Sequence, residues 1–144
     1  QLPLLNQIIS ESLRLYPPSW LLTRRAAKAD TIMGYELPAG ALVAISPYSL
    51  HRQPEFWPNP EQFDLGRWSA ENESSQHKFA YIPFGGGPHL CIGKPFAMLE
   101  AQLTLAAIVL HYDFTLASPT PIEPRPLVTI RPNRKLELIV NCER

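Results

Sequence analysis

Cys91 is the residue in this 144-residue sequence whose type and surroundings point most clearly to chemistry. It lies on a loop that reads FGGGPHLCIG over residues 84–93, and a long apolar helical pattern begins beyond that loop. Glycines permit backbone conformations and close approaches that a Cβ would block. Peptide N–H groups and the positive end of a helix favour thiolate, the form that binds metals and acts as a nucleophile. The alternative is a small structural cysteine behind a tight turn, since free cysteines are among the most buried residues.

Three other functions of the loop agree less well with its residues. A phosphate-binding P-loop needs Ser or Thr after its Gly-Lys pair, whereas Pro95 follows Gly93-Lys94 here. A zinc site around His89 and Cys91 lacks both a C-x-x-C motif and a paired histidine spacing. A nucleophile pair would place His89 only two residues from Cys91, a weak geometry for a general base. The histidines that a zinc site could recruit from elsewhere are His51, His77 and His111.

A charged pair on the first predicted helix is the second unusual feature. Glu11 lies in line with Ile8 and Leu15 on one helical stripe, so its carboxylate is predicted to point inward. Arg14 follows three residues later and is its neighbour on the same face. We expect a buried, hydrogen-bonded ion pair in preference to a weak surface pair. Such a pair is costly to desolvate and is usually kept for architecture or function.

The elements that must position these residues are short, apart from two helices. The predicted helices run from Pro3 to the Pro17-Pro18 pair and from residue 96 to residue 111. Four strands are predicted from apolar runs between turn signals, at residues 31–35, 41–45, 127–130 and 136–140.

The middle of the chain shows no sustained period between residues 46 and 72. Its prolines and aromatic residues predict a long coil pinned by aromatic side chains, and such segments usually pack over a functional site. The turn signal at residues 37–40 joins two of the predicted strands, and residues 71–78 are polar enough to predict an exposed loop.

The overall composition argues against a nucleic acid or an anionic membrane as the partner of this chain. Lys plus Arg and Asp plus Glu each number 13, so there is no basic excess of the kind that nucleic acids and anionic membranes select. No apolar run reaches the roughly 18 residues that a transmembrane helix needs, and no signal peptide is recognisable. Cys91 and Cys142 could form a disulfide, but the sequence does not resemble a small disulfide framework, and we expect reduced thiols in an intracellular protein. Gln1 opens directly on a helical pattern, so we expect the C-terminal piece of a longer chain.

Three motifs in order resemble those of the cytochromes P450. They are E-x-x-R at residues 11–14, P-E-Q-F at 60–63 with R-W at 67–68, and the cysteine loop at 84–93. One such motif alone would mean little, but their order and spacing identify the chain as a member of this family over essentially its whole length. The resemblance implies an α+β portion of a mainly helical fold, with two long helices, small β-hairpins and a long irregular meander. Residues 1–144 would be a partial domain that lacks the distal helices.

The resemblance also implies a site for haem b, iron-protoporphyrin IX. Cys91 would be the thiolate ligand of the iron, which favours O–O cleavage. His89 and Arg24 would bind the haem propionates, with Arg25 as the alternative to Arg24. The full set of implied cofactor-binding residues is Phe84, Gly85, Gly87, His89, Cys91, Gly93 and Arg24.

Further residues are implied to have structural or substrate-binding roles. Glu11, Arg14 and Arg67 would form the buried charged triad that locks the meander behind the cysteine loop. The segments that match substrate-contacting positions contain Trp20, Leu22 and Val128.

The implied activity is a monooxygenase that inserts one oxygen atom from O₂ into an apolar organic substrate, with electrons from a ferredoxin or reductase. A peroxygenase or peroxide-rearranging enzyme of the same fold is the alternative, because the oxygen-activating helix is not in this sequence. An incomplete, non-functional fragment is the third interpretation, and we expect the 144 residues alone to be inactive. A bacterial, cytoplasmic protein is favoured over a eukaryotic one anchored through a missing N-terminus.

Overall fold

The two long helices of residues 3–141, the part of the chain that the computed structural model describes, are α1 (Pro3–Leu15) and α4 (Lys94–His111). α1 begins at a proline, whose missing N–H would be unpaired in the first turn anyway. The helices pack side by side, and the Gln102 amide donates to Asn6 Oδ1 across them at 2.9 Å. Both long helices therefore lie where their sequence periodicity predicted.

The strands within residues 3–141 form four antiparallel pairs and no larger sheet. Each pair is a two-stranded ladder, so every strand has an unpaired edge. The pairs are β1 (Leu22–Arg25) with β4 (Leu42–Ile45), β2 (Asp30–Ile32) with β3 (Tyr35–Leu37), β5 (Asp113–Leu116) with β8 (Leu138–Asn141), and β6 (Pro124–Pro126) with β7 (Ile130–Pro132).

Two predicted strands are wrong because tight turns interrupt them. Met33 and Gly34 have φ angles of 50° and 85° and form the two-residue turn between β2 and β3, which splits the strand predicted at 31–35. Left-handed residues at both turn positions match the twist of the flanking strands. Residues 127–129 likewise form the bend between β6 and β7, so the strand predicted at 127–130 does not exist as such. Alternating apolar residues did not reveal either turn.

The irregular middle of the chain contains short helices that periodicity could not detect. These are α2 (Pro47–Leu50), a 3₁₀ turn at Leu65–Trp68 and α3 (Ala70–Ser75), the last within the predicted exposed loop. Side chains cap each of them. Ser46 accepts the Ser49 N–H, Asp64 accepts the Gly66 N–H and Ser69 accepts the Asn72 N–H.

The buried core lies between α1 and the irregular segment. Trp57, Trp68 and Ala80 form its apolar cluster, with Phe56 and Tyr81 packed against it. By contrast, no residue of α4 is fully buried, although the helix carries many apolar side chains. The predicted apolar face of α4 is therefore present but open to solvent. Its exposed large side chains are Phe96, Leu99, Leu103, Ile108, Val109 and Leu110.

Among residues 3–141, no helix combines the length and the apolar character needed to cross a bilayer. No three His, Cys, Asp or Glu side chains in that range are grouped so that they could hold a metal ion. Cys142, the second cysteine, lies outside the described residues.

Candidate functional site

Two glycines in the left-handed region shape the cysteine loop, which we define as residues 84–93. Gly85 and Gly87 have φ angles of +76° and +66°, which side chains with a Cβ rarely adopt. Between the ends of the loop, the Cys91 N–H donates to the Phe84 carbonyl at 3.0 Å. The Leu90 N–H donates to the Gly87 carbonyl at 3.1 Å. The loop therefore folds back on itself and presents Cys91 at its base.

The thiol of Cys91 is free and exposed, and it stands at the start of α4. Gly93 caps the helix without a side-chain hydrogen bond. A Cβ on Gly93 would lie 3.7 Å from Cys91 Sγ, an ordinary van der Waals distance, so the space beside the sulfur is open. The structural alternative for this cysteine, a small buried residue behind a turn, is therefore wrong.

Apolar side chains near Cys91 in sequence are exposed as well, which is unusual for residues of their type. Ile92 is 99% exposed, and Leu90 and Phe96 also face solvent. A thiolate is a soft ligand suited to iron, and a flat apolar macrocycle would cover such side chains. The residues present therefore fit a haem-type group.

Strand β1 approaches the cysteine loop with one of its two faces. A Cβ on Gly85 would lie 3.9 Å from the Leu22 side chain, so Leu22 faces the loop. Residues two apart share a face in a strand, which places Arg24 on the same face as Leu22. Arg25 points the other way and donates to the Gly40 carbonyl at 3.1 Å. The strand thus separates two arginines that are adjacent in sequence.

The charge cluster, which we define as Glu11, Arg14, Arg67 and Trp68, is buried behind this region. Glu11 and Arg14 have no exposed surface and form a two-pronged pair at 2.8 and 2.9 Å. Glu11 also accepts the Asp64 N–H at 2.9 Å and the Trp68 indole N–H at 3.0 Å. Arg67 Nε lies 3.4 Å from Glu11 Oε1, which is close enough for an ion pair but lacks hydrogen-bond geometry.

Burial by itself would raise the pKa of Glu11. The hydrogen bonds from Arg14, the Asp64 N–H and Trp68, together with the charge of Arg14, more than offset that effect. The pKa of Glu11 is consequently below its usual value, and the carboxylate stays ionised. Glu11 points inward, as its helical stripe predicted, and its contacts are architectural.

Arg14 fastens the irregular middle of the chain to α1. Its guanidinium donates to the backbone carbonyls of His51 at 2.9 Å, Pro60 at 2.7 Å and Gln62 at 3.1 Å. Three carbonyls from one long segment thus converge on one side chain. Arg67 adds a bond to the Asn59 carbonyl at 3.0 Å. Local sequence patterns could not reveal these acceptors, because every residue carries a backbone carbonyl.

Sequence patterns also missed two polar side chains next to this cluster, one fully buried and one partly buried. His51 is fully buried, and the sequence suggested it only as a remote zinc ligand. The Tyr81 hydroxyl donates to the Ser10 carbonyl at 3.1 Å, and its ring packs edge-on against Trp68 at 4.6 Å between centroids. Burial raises the pKa of Tyr81, so the phenol remains a donor. A lone histidine or tyrosine gives no periodic signal from which its burial could be predicted.

Trp20 connects the segment before β1 to the β6–β7 hairpin. Its indole N–H donates to the Leu127 carbonyl at 2.8 Å, and the Ile130 N–H donates to the Pro18 carbonyl at 3.0 Å. Val128, next to that carbonyl, is 97% exposed at the tip of the hairpin. The structure therefore brings two distant candidate substrate-contacting segments together and gives the polar atom of Trp20 a structural partner.

A cleft of about 530 Å³ lies between α1, the start of α4 and the segment before the cysteine loop. Phe84 from the loop and Met98 from α4 line its apolar part. Lys78 and Lys94 contribute positive charge to the same cleft. Glu73 also lines the cleft, which is thus a surface of mixed charge with two lysines adjacent to the cysteine loop.

Comparison with known proteins gives one consistent result. Residues 1–140 match the family model described as Cytochrome P450. The chain is 42% identical over 125 residues to cyclooctatin synthase of Streptomyces melanosporofaciens, covering 87% of the chain and 27% of that protein. It is 40% identical over 121 residues to thromboxane-A synthase of Sus scrofa, covering 84% and 23%. A crystal structure of the cytochrome P450DA heme domain superimposes with a TM-score of 0.91 at 34% identity, covering 97% of this chain and 31% of that one. The chain thus spans less than a third of each protein.

Proposed function

This chain belongs to the cytochrome P450 family, and on that premise we propose that it forms the proximal haem wall of a haem-thiolate monooxygenase with Cys91 as the iron ligand. Residues 1–144 would be a partial domain, completed by distal helices from outside this sequence. The observation that carries the proposal is the exposed, free thiol at the base of the glycine loop, surrounded by exposed apolar side chains.

The cysteine loop would hold haem b through its sulfur and its backbone. A thiolate-ligated haem supplies O₂ activation and the insertion of one oxygen atom into a substrate. Gly85 and Gly87 adopt left-handed conformations and carry no Cβ, so the backbone that precedes Cys91 could approach the haem closely. Gly93 leaves space beside the sulfur. Phe84, whose carbonyl accepts the Cys91 N–H, would pack beside the haem.

Two residues are candidates for binding the haem propionates. His89 is exposed on the cysteine loop, and Arg24 lies on the face of β1 that approaches this loop. Among the described residues neither His89 nor Arg24 forms an ion pair, although the Arg24 guanidinium donates to the Thr23 carbonyl at 2.8 Å. Arg25 is the weaker candidate because its guanidinium points away toward Gly40.

An apolar organic molecule is the substrate class that the remaining candidates support. Leu22 faces the cysteine loop, and Val128 is an exposed apolar side chain at the tip of a hairpin that Trp20 holds. The whole substrate pocket would also require residues from outside this sequence. Lys78 and Lys94 near the loop support docking of an acidic electron-donor protein, such as a ferredoxin or a reductase domain.

The ferrous–CO absorption spectrum of the complete gene product tests the proposal. We expect the red-shifted Soret band of a thiolate ligand in the wild type and its loss in Cys91→Ala. Cys142→Ala is the matched control and should keep the band. An imidazole-type band in the wild type, or an unchanged band in Cys91→Ala, would show that the ligand is misassigned. Turnover with hydrogen peroxide but not with an electron donor would instead indicate a peroxygenase of the same fold.

A further inference from the structure

His51 is a fully buried histidine that lies between the charge cluster and the cysteine loop. It follows directly after α2, and its ring faces both the end of α1 and the segment that leads into the loop. Nδ1 lies 3.1 Å from the Arg14 carbonyl oxygen, and Nε2 accepts the Ile82 N–H at 2.9 Å. Both ring nitrogens thus have backbone partners on different segments of the chain.

These two partners define the protonation state of the ring. The Ile82 N–H can only donate, so Nε2 must carry no proton. The Arg14 carbonyl can only accept, so Nδ1 must carry the proton of the neutral ring. Either the other tautomer or the doubly protonated ring would direct a donor at the Ile82 N–H and break that bond.

A connected series of hydrogen bonds runs through His51 toward the cysteine loop. The Arg14 side chain donates to the His51 carbonyl at 2.9 Å, while the His51 ring donates to the Arg14 carbonyl. The ring then holds the Ile82 N–H, and the Ile82 carbonyl accepts the Gly85 N–H at 3.0 Å. His51 is therefore bonded to α1 at two points and to the first residue of the 82–85 turn at one point.

That turn leads directly into the part of the chain that places the thiol. The Phe84 carbonyl, inside the turn, accepts the Cys91 N–H at 3.0 Å. A shift of Ile82 relative to α1 would move this carbonyl and with it the peptide of Cys91. His51 is the side chain that bonds α1 to Ile82 through a titratable ring.

We propose that His51 is a positioning residue: as a neutral ring protonated on Nδ1, it fixes the 82–85 turn against α1 and thereby places Cys91 for iron ligation. The ligation part rests on the proposed function, whereas the placement of the turn does not. His51 touches neither Cys91 nor the cofactor surface and acts through the backbone.

The surroundings of the ring favour its neutral form. Burial lowers the pKa of His51 to about 4; the bond to the Arg14 carbonyl opposes this effect, and the charges of Arg14 and Arg52 add to it. The negative charge of Glu11 is already compensated by its ion pair with Arg14. Tyr81, whose ring centroid is 5.3 Å away, stays an uncharged phenol because burial raises its pKa.

The test compares two substitutions of His51 in the complete, haem-loaded gene product. His51→Phe fills the space but leaves the Arg14 carbonyl and the Ile82 N–H unpaired, and we expect the ratio of thiolate-ligated to thiolate-detached haem to fall about tenfold or more. His51→Gln supplies one donor and one acceptor, so it should retain most of the thiolate-type band. His111→Phe, at the exposed end of α4, is the matched control and should leave the spectrum unchanged.

The pH profile separates positioning from simple space filling. The pKa of His51 is lower in the fold than its ordinary value of 6.5, so its contribution is complete above pH 6.5 and is lost as the pH falls toward about 4. We expect the wild-type thiolate band to decline over that window and the His51→Gln band to stay level there. The pKa of Glu11 is below its usual value, and Glu11 is present in both proteins, so the difference between the two profiles reports on His51. Identical acid profiles of wild type and His51→Gln would overturn the proposal.

Hydrogen exchange at the Ile82 amide makes the result independent of the cofactor assignment. We expect faster exchange in His51→Phe than in wild type, and protection restored in His51→Gln. An unchanged Ile82 exchange rate in His51→Phe would overturn the inference even if the thiolate band is normal. Absence of the thiolate band from the wild type, with Ile82 exchange as expected, would overturn the proposed function alone. If the His51→Phe protein does not accumulate, the pH dependence of the thiolate band in His51→Gln tests the proposal.

Discussion

In the charge cluster, each oxygen of Glu11 and each nitrogen of the Arg14 guanidinium has a hydrogen-bond partner. The cysteine loop is different. Within the described residues it is held by bonds between backbone groups, and it leaves the Cys91 thiol and the Ile92 side chain in solvent. In the first region the chain itself supplies every partner of the Glu11–Arg14 pair, and Arg67 Nε is the buried nitrogen there without a hydrogen bond. The cysteine loop leaves a thiol and an apolar side chain exposed, and a bound haem would contact both.

Substitutions in the two regions should therefore have different energetic consequences. Burying two ions costs several kcal/mol per ion, and only complete bonding offsets that cost. Removing one member of the charge cluster therefore leaves a buried charge without compensation. Changing an exposed residue near the cysteine loop leaves no such group behind, so its effect should appear in cofactor or ligand binding and not in folding.

Arg14→Met should have the largest effect, because it leaves the Glu11 carboxylate buried and three backbone carbonyls without a donor. We expect the free energy of unfolding of the complete gene product to fall by about 3–5 kcal/mol. Urea denaturation followed by circular dichroism measures the change. Arg25→Met, which removes an exposed guanidinium of the same size, should change it by less than about 0.5 kcal/mol. Equal urea midpoints for both variants would contradict the contrast between the two regions.

Arg24→Gln should have an intermediate effect, on cofactor binding only. Arg24 lies on the face of β1 that approaches the cysteine loop, so under the proposed function its loss would remove a charge-assisted bond to a propionate worth about 1.5–3 kcal/mol. We expect the rate of haem transfer to an excess of apoglobin to rise about tenfold or more. The neighbouring Arg25→Gln is the matched control, with less than about a twofold change expected from an arginine that points away. A larger effect in Arg25→Gln would reverse the assignment of the two arginines.

Trp20→Phe should have the smallest effect, because it keeps most of the apolar ring and deletes one hydrogen bond, to the Leu127 carbonyl. A typical bond of this kind contributes about 1 kcal/mol, so we expect the Kd of an apolar ligand to rise about fivefold. Titration of the ligand-induced Soret shift measures the Kd, while the ferrous–CO spectrum should stay normal. Tyr35→Phe on the exposed β2–β3 hairpin is the control. An unaltered Kd in Trp20→Phe would show that the hairpin tip does not contribute to the pocket.

The errors in the sequence-based prediction have a common cause. A strand was predicted through residues 31–35, yet Met33 and Gly34 adopt left-handed conformations and reverse the chain there. Methionine is not a typical residue for such a turn, so the alternation of apolar side chains outweighed the single glycine. The helices α2 and α3 were missed because each has fewer than two full turns, too short for a 3.6-residue period to register.

The sequence by itself determined the features that depend on spacing within one element. The three-residue separation of Glu11 and Arg14 on α1 places them on one face, and their apolar neighbours turn that face inward. The glycine pattern around Cys91 likewise specifies a loop that L-residues with a Cβ rarely form.

Only the tertiary structure decided which groups meet across the chain. It selected three backbone carbonyls for Arg14, placed the His51 ring between α1 and Ile82, and bonded Arg25 to the Gly40 carbonyl. The physical reason is that every residue except proline has the same backbone donor, and every residue has the same acceptor. Side-chain patterns cannot mark one carbonyl among many, so packing of distant segments chooses it.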